Sequence, residues 1–313
     1  GKNTKSAYFF KECCHICNGV CQNNVTNSEL ISKTNLTKDW QNRRLSNFRY
    51  LYFLNMISGR SFNDLSQYPV YPWILKDYSS QTLDLKDESI YRDLSVPIAA
   101  MNEVRLKECI NHYEMVDPIE KCLYRSHYSS PAFIIGFMIR TEPFTSLHID
   151  LQSGRFDYPD RLFYSVRRAW EGVTSTSNDY KELIPQFFTF PQMFINENKF
   201  DLGRIQGKKY QINDVEMPNW AKSPFEFVEI HQRALESEYV RLHLNEWIDL
   251  IFGCYQQSFE KHSLYHWYSY HECMKIPEVI NDPINQQMAQ HHSVNFCCCP
   301  DKIFTSPSPR FIH

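Results

Sequence analysis

Residues 62–78 read FNDLSQYPVYPWILKDY, and this segment, here called the aromatic strip, decides the fold. Its apolar residues follow neither the helical nor the alternating period of regular secondary structure. Pro69 and Pro72 fix their own φ angles and favour extended backbone at the residues before them. Because the strip is strongly apolar, we expect it to be buried although it cannot form a regular hydrogen-bonded ladder.

Buried backbone groups that lie outside helices and sheets need side-chain partners for their hydrogen bonds. Three polar residues at the start of the strip are the local candidates for this role. We therefore predict a core-organising set that combines these polar side chains with the apolar part of the strip: Asn63, Asp64, Gln67, Tyr68, Pro69 and Trp73.

Helical patterns surround the strip in the sequence. The apolar spacing predicts one helix over residues 37–58, with Gly59 at its C-terminal cap. It also predicts a short buried helix over 131–142, an amphipathic helix over 157–171, and helices from Ser223 and Pro224 to residue 252. The fold is therefore predicted to be mainly α, a single large domain whose helices surround extended irregular core segments at 62–78 and 184–191.

The composition excludes several classes of function. A formal net charge of −3 and an isoelectric point near 6.5 argue against a nucleic-acid-binding surface, which needs clustered lysine and arginine. No apolar run approaches the roughly 20 residues that span a bilayer, and the first residues lack the apolar core of a signal peptide. The 11 cysteines are odd in number, so we expect reduced thiols in the cytoplasm.

Two cysteine clusters could be interpreted as metal sites. Residues 13–21 read CCHICNGVC, which supplies one zinc knuckle (Cys14 and Cys17) and no second one nearby, so a flexible tail or short helix is the competing interpretation. Residues 297–299 are three adjacent cysteines close to His291 and His292. Adjacent thiols fit one metal ion poorly, and small buried side chains are the simpler interpretation. We predict neither a metal site nor a cofactor.

A thiol hydrolase is the enzymatic alternative. It needs a cysteine of lowered pKa, an oriented histidine and an oxyanion-binding group. Cys109, Cys122 and Cys254 lie in no nucleophile motif, and His127 is expected to be a hydrogen-bonded core residue. We therefore predict a protein without catalytic activity. The alternative is a metal- or thiol-dependent enzyme that uses the Cys/His clusters.

Ten ordered blocks of the sequence resemble one known family. They are WQNRRLSNFRYL (40–51), LNMISGR (54–60), YRDLSVP (91–97), HYSS (127–130), RTEPFT (140–145), FDYPDRLF (156–163), KELIPQFF (181–188), FDLG (200–203), PNWA (218–221) and EWIDLIFG (246–253). In this order and at this spacing they are similar to the BEACH domain of beige, Chediak-Higashi and neurobeachin-like proteins. The resemblance implies a BEACH domain over 36–307, an N-terminal tail or linker over 1–35 that is too short for a complete PH-like domain, and a C-terminal tail over 308–313.

The resemblance also implies a function. Members of the family are scaffold modules of large cytoplasmic proteins that associate peripherally with membranes in vesicle trafficking, lysosome-related organelle and autophagy pathways. The implied partners are a PH-like domain and WD repeats of the same full-length protein, other trafficking proteins and a membrane surface.

Two places in the sequence are candidates for partner binding. Arg43 and Arg44 form a basic cluster on the first predicted helix, and Arg92 and Asp93 lie in a turn of the YRDLSVP block. A solvated helix face is the competing interpretation, because such clusters are weaker than the polybasic runs that bind membranes. We expect these residues to border an exposed apolar face that docks the PH-like domain.

Overall fold

The computed structural model describes residues 26–125, 127–176, 179–207, 211–270 and 281–311. These residues contain ten α-helices and no β-sheet, which confirms the prediction of a mainly α fold. The helices are α1 (Asn27–Lys33), α2 (Leu36–Gln41), α3 (Asn47–Ile57), α4 (Glu103–Met115), α5 (Pro131–Phe137), α6 (Phe144–Leu151), α7 (Val166–Ser175), α8 (Pro224–Leu235), α9 (Glu238–Ile251) and α10 (Pro283–Phe296).

The predicted helix over 37–58 is in fact two helices, α2 and α3. The turn between them has Arg43 in the left-handed region, with φ of 59°, and the carbonyl of Asp39 accepts hydrogen bonds from the backbone N–H groups of both Arg44 and Leu45. The hydroxyl of Ser46 then accepts from the N–H of Arg49 and starts α3. Gly59 ends this helix with a φ of +88°, as predicted.

Three other predicted helices have different limits in the structure. The helix predicted over 131–142 ends at Phe137, and the one predicted over 157–171 is replaced by a 3₁₀ turn at Pro159–Arg161 followed by α7. Residues 162–164 leave the helix: the carbonyl of Tyr164 accepts from the N–H of Glu216, and the carbonyl of Phe163 accepts from the guanidinium of Arg140. The helical region after Ser223 divides into α8 and α9, and the hydroxyl of Ser223 caps α8 as expected.

Residues 68–75 of the aromatic strip are buried, as predicted, whereas residues 62–67 and Lys76 are exposed or half-buried. Tyr71, Trp73, Ile74 and Leu75 are all 0% exposed. The strip has one 3₁₀ turn, at Leu65–Gln67, and isolated bridges at Tyr71 and Leu75 rather than a ladder. The second predicted irregular segment, 184–191, consists mainly of 3₁₀ turns that begin at Pro185 and Pro191.

The side chains that form hydrogen bonds with the backbone N–H and carbonyl groups of the strip lie outside the strip in the sequence. Both the N–H and the carbonyl of Val70 bond the amide group of Asn55 on α3, at 2.8 and 3.0 Å. The carboxylate of Glu182 accepts from the N–H of Trp73 at 3.0 Å, and the buried guanidinium of Arg60 donates to the carbonyl of Tyr68. Amide and carboxyl groups therefore organise the strip, as the sequence led us to expect.

The prediction that Asn63 and Asp64 supply these groups is wrong. Both residues are exposed, and the carboxylate of Asp64 bonds the N–H and hydroxyl of Ser66 within a local turn. Gln67 is half-buried, whereas Pro69 is buried. The buried residues Tyr68 and Trp73 do have the predicted role: the hydroxyl of Tyr68 accepts from Gln186, and the indole of Trp73 donates to the carbonyl of Lys181.

Both ends of the described chain pack on the domain, although they were predicted to be tails. Ile31 of α1 is buried, and a capping box at Thr26 and Glu29 starts this helix. Residues 303–311, here called the C-terminal strap, run antiparallel to α9, from the carbonyl of Phe252 to a site beside Trp40 where Phe311 is 7% exposed.

Candidate functional site

Arg92 lies in the core, so the prediction that it is a surface residue for partner binding is wrong. Its guanidinium and the carboxylate of Glu182 form an ion pair at 2.8 Å, and the two side chains are 0% and 1% exposed. Glu182 also accepts from the indole N–H of Trp247 at 3.1 Å. The pair therefore connects the YRDLSVP block to the strip and to α9.

A second network connects the start of α3 to the corner between α8 and α9. The carboxylate of Glu236 accepts from the backbone N–H groups of Asn47 and Phe48, which lie in the first turn of α3. The side chain of Asn47 bonds the indole of Trp40 and the carbonyl of Leu235. An acidic side chain at a helix N-terminus is favourable because it meets the positive end of the helix dipole. This network fixes the start of α3 and Trp40 of α2 against the corner between α8 and α9.

The other predicted partner-binding residues lie at the surface around the first turns of α9. Arg43 forms an ion pair with Glu238, and Arg44 forms one with Asp39 at 2.6 Å. The arginine side chains are 56% and 63% exposed, so these pairs contribute little to stability. Their charges are available to a partner.

Asp93 also lies close to the first turn of α9. The ring of Tyr91 stacks on that of Tyr239 at 4.7 Å between centroids, which places the turn at residues 92–95 next to α9. Burial, and then the negative charges of Asp93, Glu246 and Glu88, raise the pKa of Tyr239. The exposed carboxylate of Asp93 accepts from the N–H and hydroxyl of Ser95, and it forms no ion pair with any residue in the described ranges.

We call this region the α9 surface and define it as Arg43, Arg44, Asp93, Glu238 and Tyr239. It is charged, which differs from the apolar face that we expected. The exposed large apolar side chains of the described chain lie elsewhere, and none belongs to the α2–α3 turn, to residues 91–96 or to the first turns of α9. The α9 surface therefore offers charged groups and the half-buried ring of Tyr239.

The C-terminal strap ends beside this surface. The ring of Phe311 lies between two guanidinium groups, at 5.0 Å from Arg43 and 5.3 Å from Arg241. The carbonyl of Arg310 accepts from the side chain of Gln41 at 2.7 Å. The sequence did not predict this contact, because the strap is too short for its apolar residues to show a period.

The thiols beside the core have properties unfavourable for nucleophilic catalysis. Cys297, Cys298 and Cys299 are at most 2% exposed, and His127 lies 3.1 Å from the sulfur of Cys299, as expected for a core histidine. Burial raises the pKa of the Cys297 and Cys299 thiols and raises that of Cys122 to about 11. A reactive cysteine needs the opposite shift.

A small cavity lies beside the buried ion pair. Its lining includes Glu182, Trp247 and Tyr265, and its volume of about 10 Å³ is enough for about one water molecule. A substrate cannot enter a space of this size. Within the described ranges there is also no group of three or more His, Cys, Asp or Glu side chains that could hold a metal ion. The cysteine cluster at 13–21 lies outside the described residues.

No helix in the part of the chain that the structure describes is long and apolar enough to cross a membrane.

The chain is similar to known proteins along most of its length. The family model described as Beige/BEACH domain matches residues 38–311. A protein of Caenorhabditis briggsae named as a neurobeachin homolog is 48% identical over 238 residues, which is 75% of this chain and 9% of that protein. A protein of Caenorhabditis elegans with the same name is 41% identical over 289 residues, which is 91% of this chain and 12% of that protein.

The chain therefore spans about a tenth of the length of the curated relatives that it matches. The match of the family model extends into the strap, in agreement with the packing of Phe311 on the domain. From the family match, the relatives and the fold, we conclude that this chain belongs to the BEACH domain family.

Proposed function

We propose that this chain is a non-enzymatic docking module of a large BEACH protein that acts in membrane and vesicle trafficking, including lysosome-related organelle and autophagy pathways. The observation that best supports the proposal is the position of Arg43, Arg44 and Asp93 around α9, on a frame fixed by the buried Arg92–Glu182 pair. A rigid frame with charged groups at its surface suits recognition, because little ordering is needed when the partner binds.

The proposed partner at the α9 surface is a PH-like domain of the same full-length protein. Arg43 and Arg44 are exposed cations, whereas Asp93 and Glu88 are exposed acids, so the partner should bring acidic groups to the arginines and basic groups to Asp93 and Glu88. WD repeats, other trafficking proteins and a cytoplasmic membrane surface are further partners that we propose for the full-length protein. Charge recognition of this kind should weaken as the ionic strength rises.

The test is calorimetric titration of the chain with the PH-like domain of its own full-length protein. We expect Asp93→Lys and Arg44→Glu each to weaken binding about tenfold, while the melting temperature changes by no more than about 2 °C, because both side chains are exposed. Arg168→Glu on α7 is the matched control, because this arginine is 69% exposed and far from α9 in the sequence.

A charge swap separates a partner contact of Arg43 from its intramolecular pair. Arg43→Glu combined with Glu238→Arg retains an ion pair at this position but exchanges its two charges. If Arg43 contacts the partner, the double variant binds as weakly as Arg43→Glu alone. Unchanged binding in Asp93→Lys and Arg44→Glu, or equal weakening by Arg168→Glu, would argue against the α9 surface.

A further inference from the structure

The C-terminal strap carries the sequence TSPSPR at residues 305–310. Serine precedes proline twice, and each proline favours extended backbone at the serine before it. Serine followed directly by proline in an extended segment is the substrate type of proline-directed protein kinases. Two other Ser-Pro pairs, at Ser130 and Ser223, are different because these hydroxyls cap α5 and α8.

The two serines of the strap have different environments. Ser306 is exposed, whereas Ser308 is 4% exposed and fixes the middle of the strap to α9. The N–H of Ser308 donates to a carboxylate oxygen of Asp249 at 2.7 Å, and its hydroxyl donates to the carbonyl of Asn245 at 3.1 Å. The adjacent residues Pro307 and Pro309 have no N–H to contribute.

We propose that Ser308 is a phosphorylation site whose modification releases the strap from α9. A proline-directed protein kinase transfers the γ-phosphoryl group of ATP to the hydroxyl oxygen of Ser308: the new P–O bond forms as the bond to ADP breaks, and the hydroxyl proton passes to the base of the kinase. Because Ser308 is buried, the kinase acts on the strap during transient release.

The chemistry of the site prevents the phosphorylated strap from binding again. The phosphoester oxygen has no hydrogen, so the bond to Asn245 is lost. The phosphate also brings about two negative charges next to the carboxylate of Asp249. Burial raises the pKa of Asp249, so this environment already disfavours negative charge, although the N–H and hydroxyl of Ser308 and then the charge of Arg310 oppose that shift.

The release reaches the end of the strap. Its contacts beyond Ser308 include the bond from Gln41 to the carbonyl of Arg310 and the packing of Phe311 on Trp40, Arg43 and Arg241. Loss of Phe311 would expose one face of the Arg43 guanidinium. Any effect of phosphorylation on partner binding rests on the proposed docking function of the α9 surface. The release of the strap from α9 does not depend on that function.

The experiment uses two single variants of the chain, Ser306→Ala and Ser308→Ala, incubated with a proline-directed kinase and ATP. Phosphates are mapped by mass spectrometry, and amide hydrogen exchange is followed in residues 303–311. We expect the Ser306→Ala chain to accept phosphate at Ser308 and then to exchange its strap amides about tenfold faster or more. In the Ser308→Ala chain, phosphorylation at the exposed Ser306 should leave the exchange of the strap as it was in the same variant before phosphorylation.

A third variant tests the electrostatic cause. Asp249→Asn keeps an oxygen that accepts from the N–H of Ser308 but removes the negative charge, so phosphorylation at Ser308 should accelerate exchange less in the Ser306→Ala/Asp249→Asn chain. The proposal is overturned if Ser308 takes no phosphate while Ser306 is fully modified, or if phosphorylated Ser308 leaves the exchange of the strap unchanged. The experiment measures phosphorylation and hydrogen exchange and does not measure partner binding. Its result is therefore independent of the proposed docking function.

Discussion

The carboxylate of Glu182 and the guanidinium of Arg92 form a fully buried ion pair, 90 residues apart in the sequence and 2.8 Å apart in space. Glu182 also accepts hydrogen bonds from the backbone of Trp73 and the indole of Trp247. Arg92 donates in addition to the carbonyl of Val96. One carboxylate thus connects the aromatic strip, α9 and the YRDLSVP block.

Glu182→Gln should destabilise the fold strongly, because it leaves the charge of Arg92 buried without a counter-ion. Removing one partner of a buried pair typically costs about 3–5 kcal/mol in the free energy of unfolding. Urea denaturation measures this cost. The double variant Glu182→Gln/Arg92→Met is the control, and it should be less destabilised than the sum of its two single variants. A cost below about 1 kcal/mol for Glu182→Gln would contradict the role of this pair.

Asn55→Ala should lower the free energy of unfolding by roughly 2–3 kcal/mol, because it leaves the buried N–H and carbonyl of Val70 without partners. Asn63→Ala is the control and should change stability by less than about 0.5 kcal/mol, because Asn63 is exposed. Equal costs for the two variants, again in urea denaturation, would indicate that the local polar residues do organise the strip.

The burial of the apolar part of the aromatic strip could be predicted because its proline and aromatic residues can be recognised from the local sequence alone. It could not predict that Asn55 and Glu182 are the partners, since the first lies within α3 and the second lies 109 residues beyond Trp73. Polar residues next to the strip were the simplest candidates, but Asp64 uses its carboxylate to start a 3₁₀ turn. The presence of the helices was predictable from the apolar periodicity. The break between α2 and α3 was not, because it depends on the left-handed backbone of Arg43, which no sequence pattern indicates.

His231 should make the protein less stable in mild acid. Its ring is fully buried between Phe188 and Phe227, and burial lowers its pKa to about 3. The unfolded chain binds a proton at this residue below about pH 6.5, whereas the folded chain does so only near pH 3. The unfolded state therefore binds more protons between these values, and stability is lost as the pH falls through this window.

The measurement is the free energy of unfolding at pH 6 and pH 5. His231 should contribute roughly 1 kcal/mol to the loss between these two values. His231→Phe keeps an aromatic ring but removes the titration, so its loss over this interval should be smaller by about that amount. His112→Gln, at an exposed position, should retain the loss seen in the unmodified protein. An identical pH dependence in His231→Phe would show that the ring takes up its proton as readily in the folded chain as in the unfolded chain.

Gly253→Ala should destabilise the end of α9. A Cβ atom at this position would lie 2.7 Å from the Cα of Asp249 and 2.9 Å from one of its carboxylate oxygens, which is closer than real contacts allow. We expect a loss of about 1–3 kcal/mol in the free energy of unfolding. Gly136→Ala is the matched control: it lies in α5 with nothing within 4 Å of the added atom, so the same change should stabilise the protein by up to about 1 kcal/mol. Thermal unfolding of the two variants compares them directly.

The candidate site was predictable only in part. Arg43, Arg44 and Asp93 lie at the surface because charged side chains are rarely buried without a partner. Arg92 is the exception, and its burial could not be foreseen because its partner Glu182 lies in a different block. Phe311 was missed because a single aromatic residue close to the end of the sequence shows no period, although its contact with Trp40 fixes the strap.

We propose that the docking surface depends on a fixed core, which the aromatic strip forms around Asn55 and Glu182. Native-state hydrogen exchange of the Val70 and Trp73 amides tests it most directly, because these N–H groups donate to those two side chains. We predict that both amides exchange only through global unfolding, with protection of about 10⁴-fold or more, as for the core of a stable domain. Exchange of either amide as fast as that of Ser66 in the exposed turn would show that Asn55 and Glu182 do not hold the strip in a fixed core.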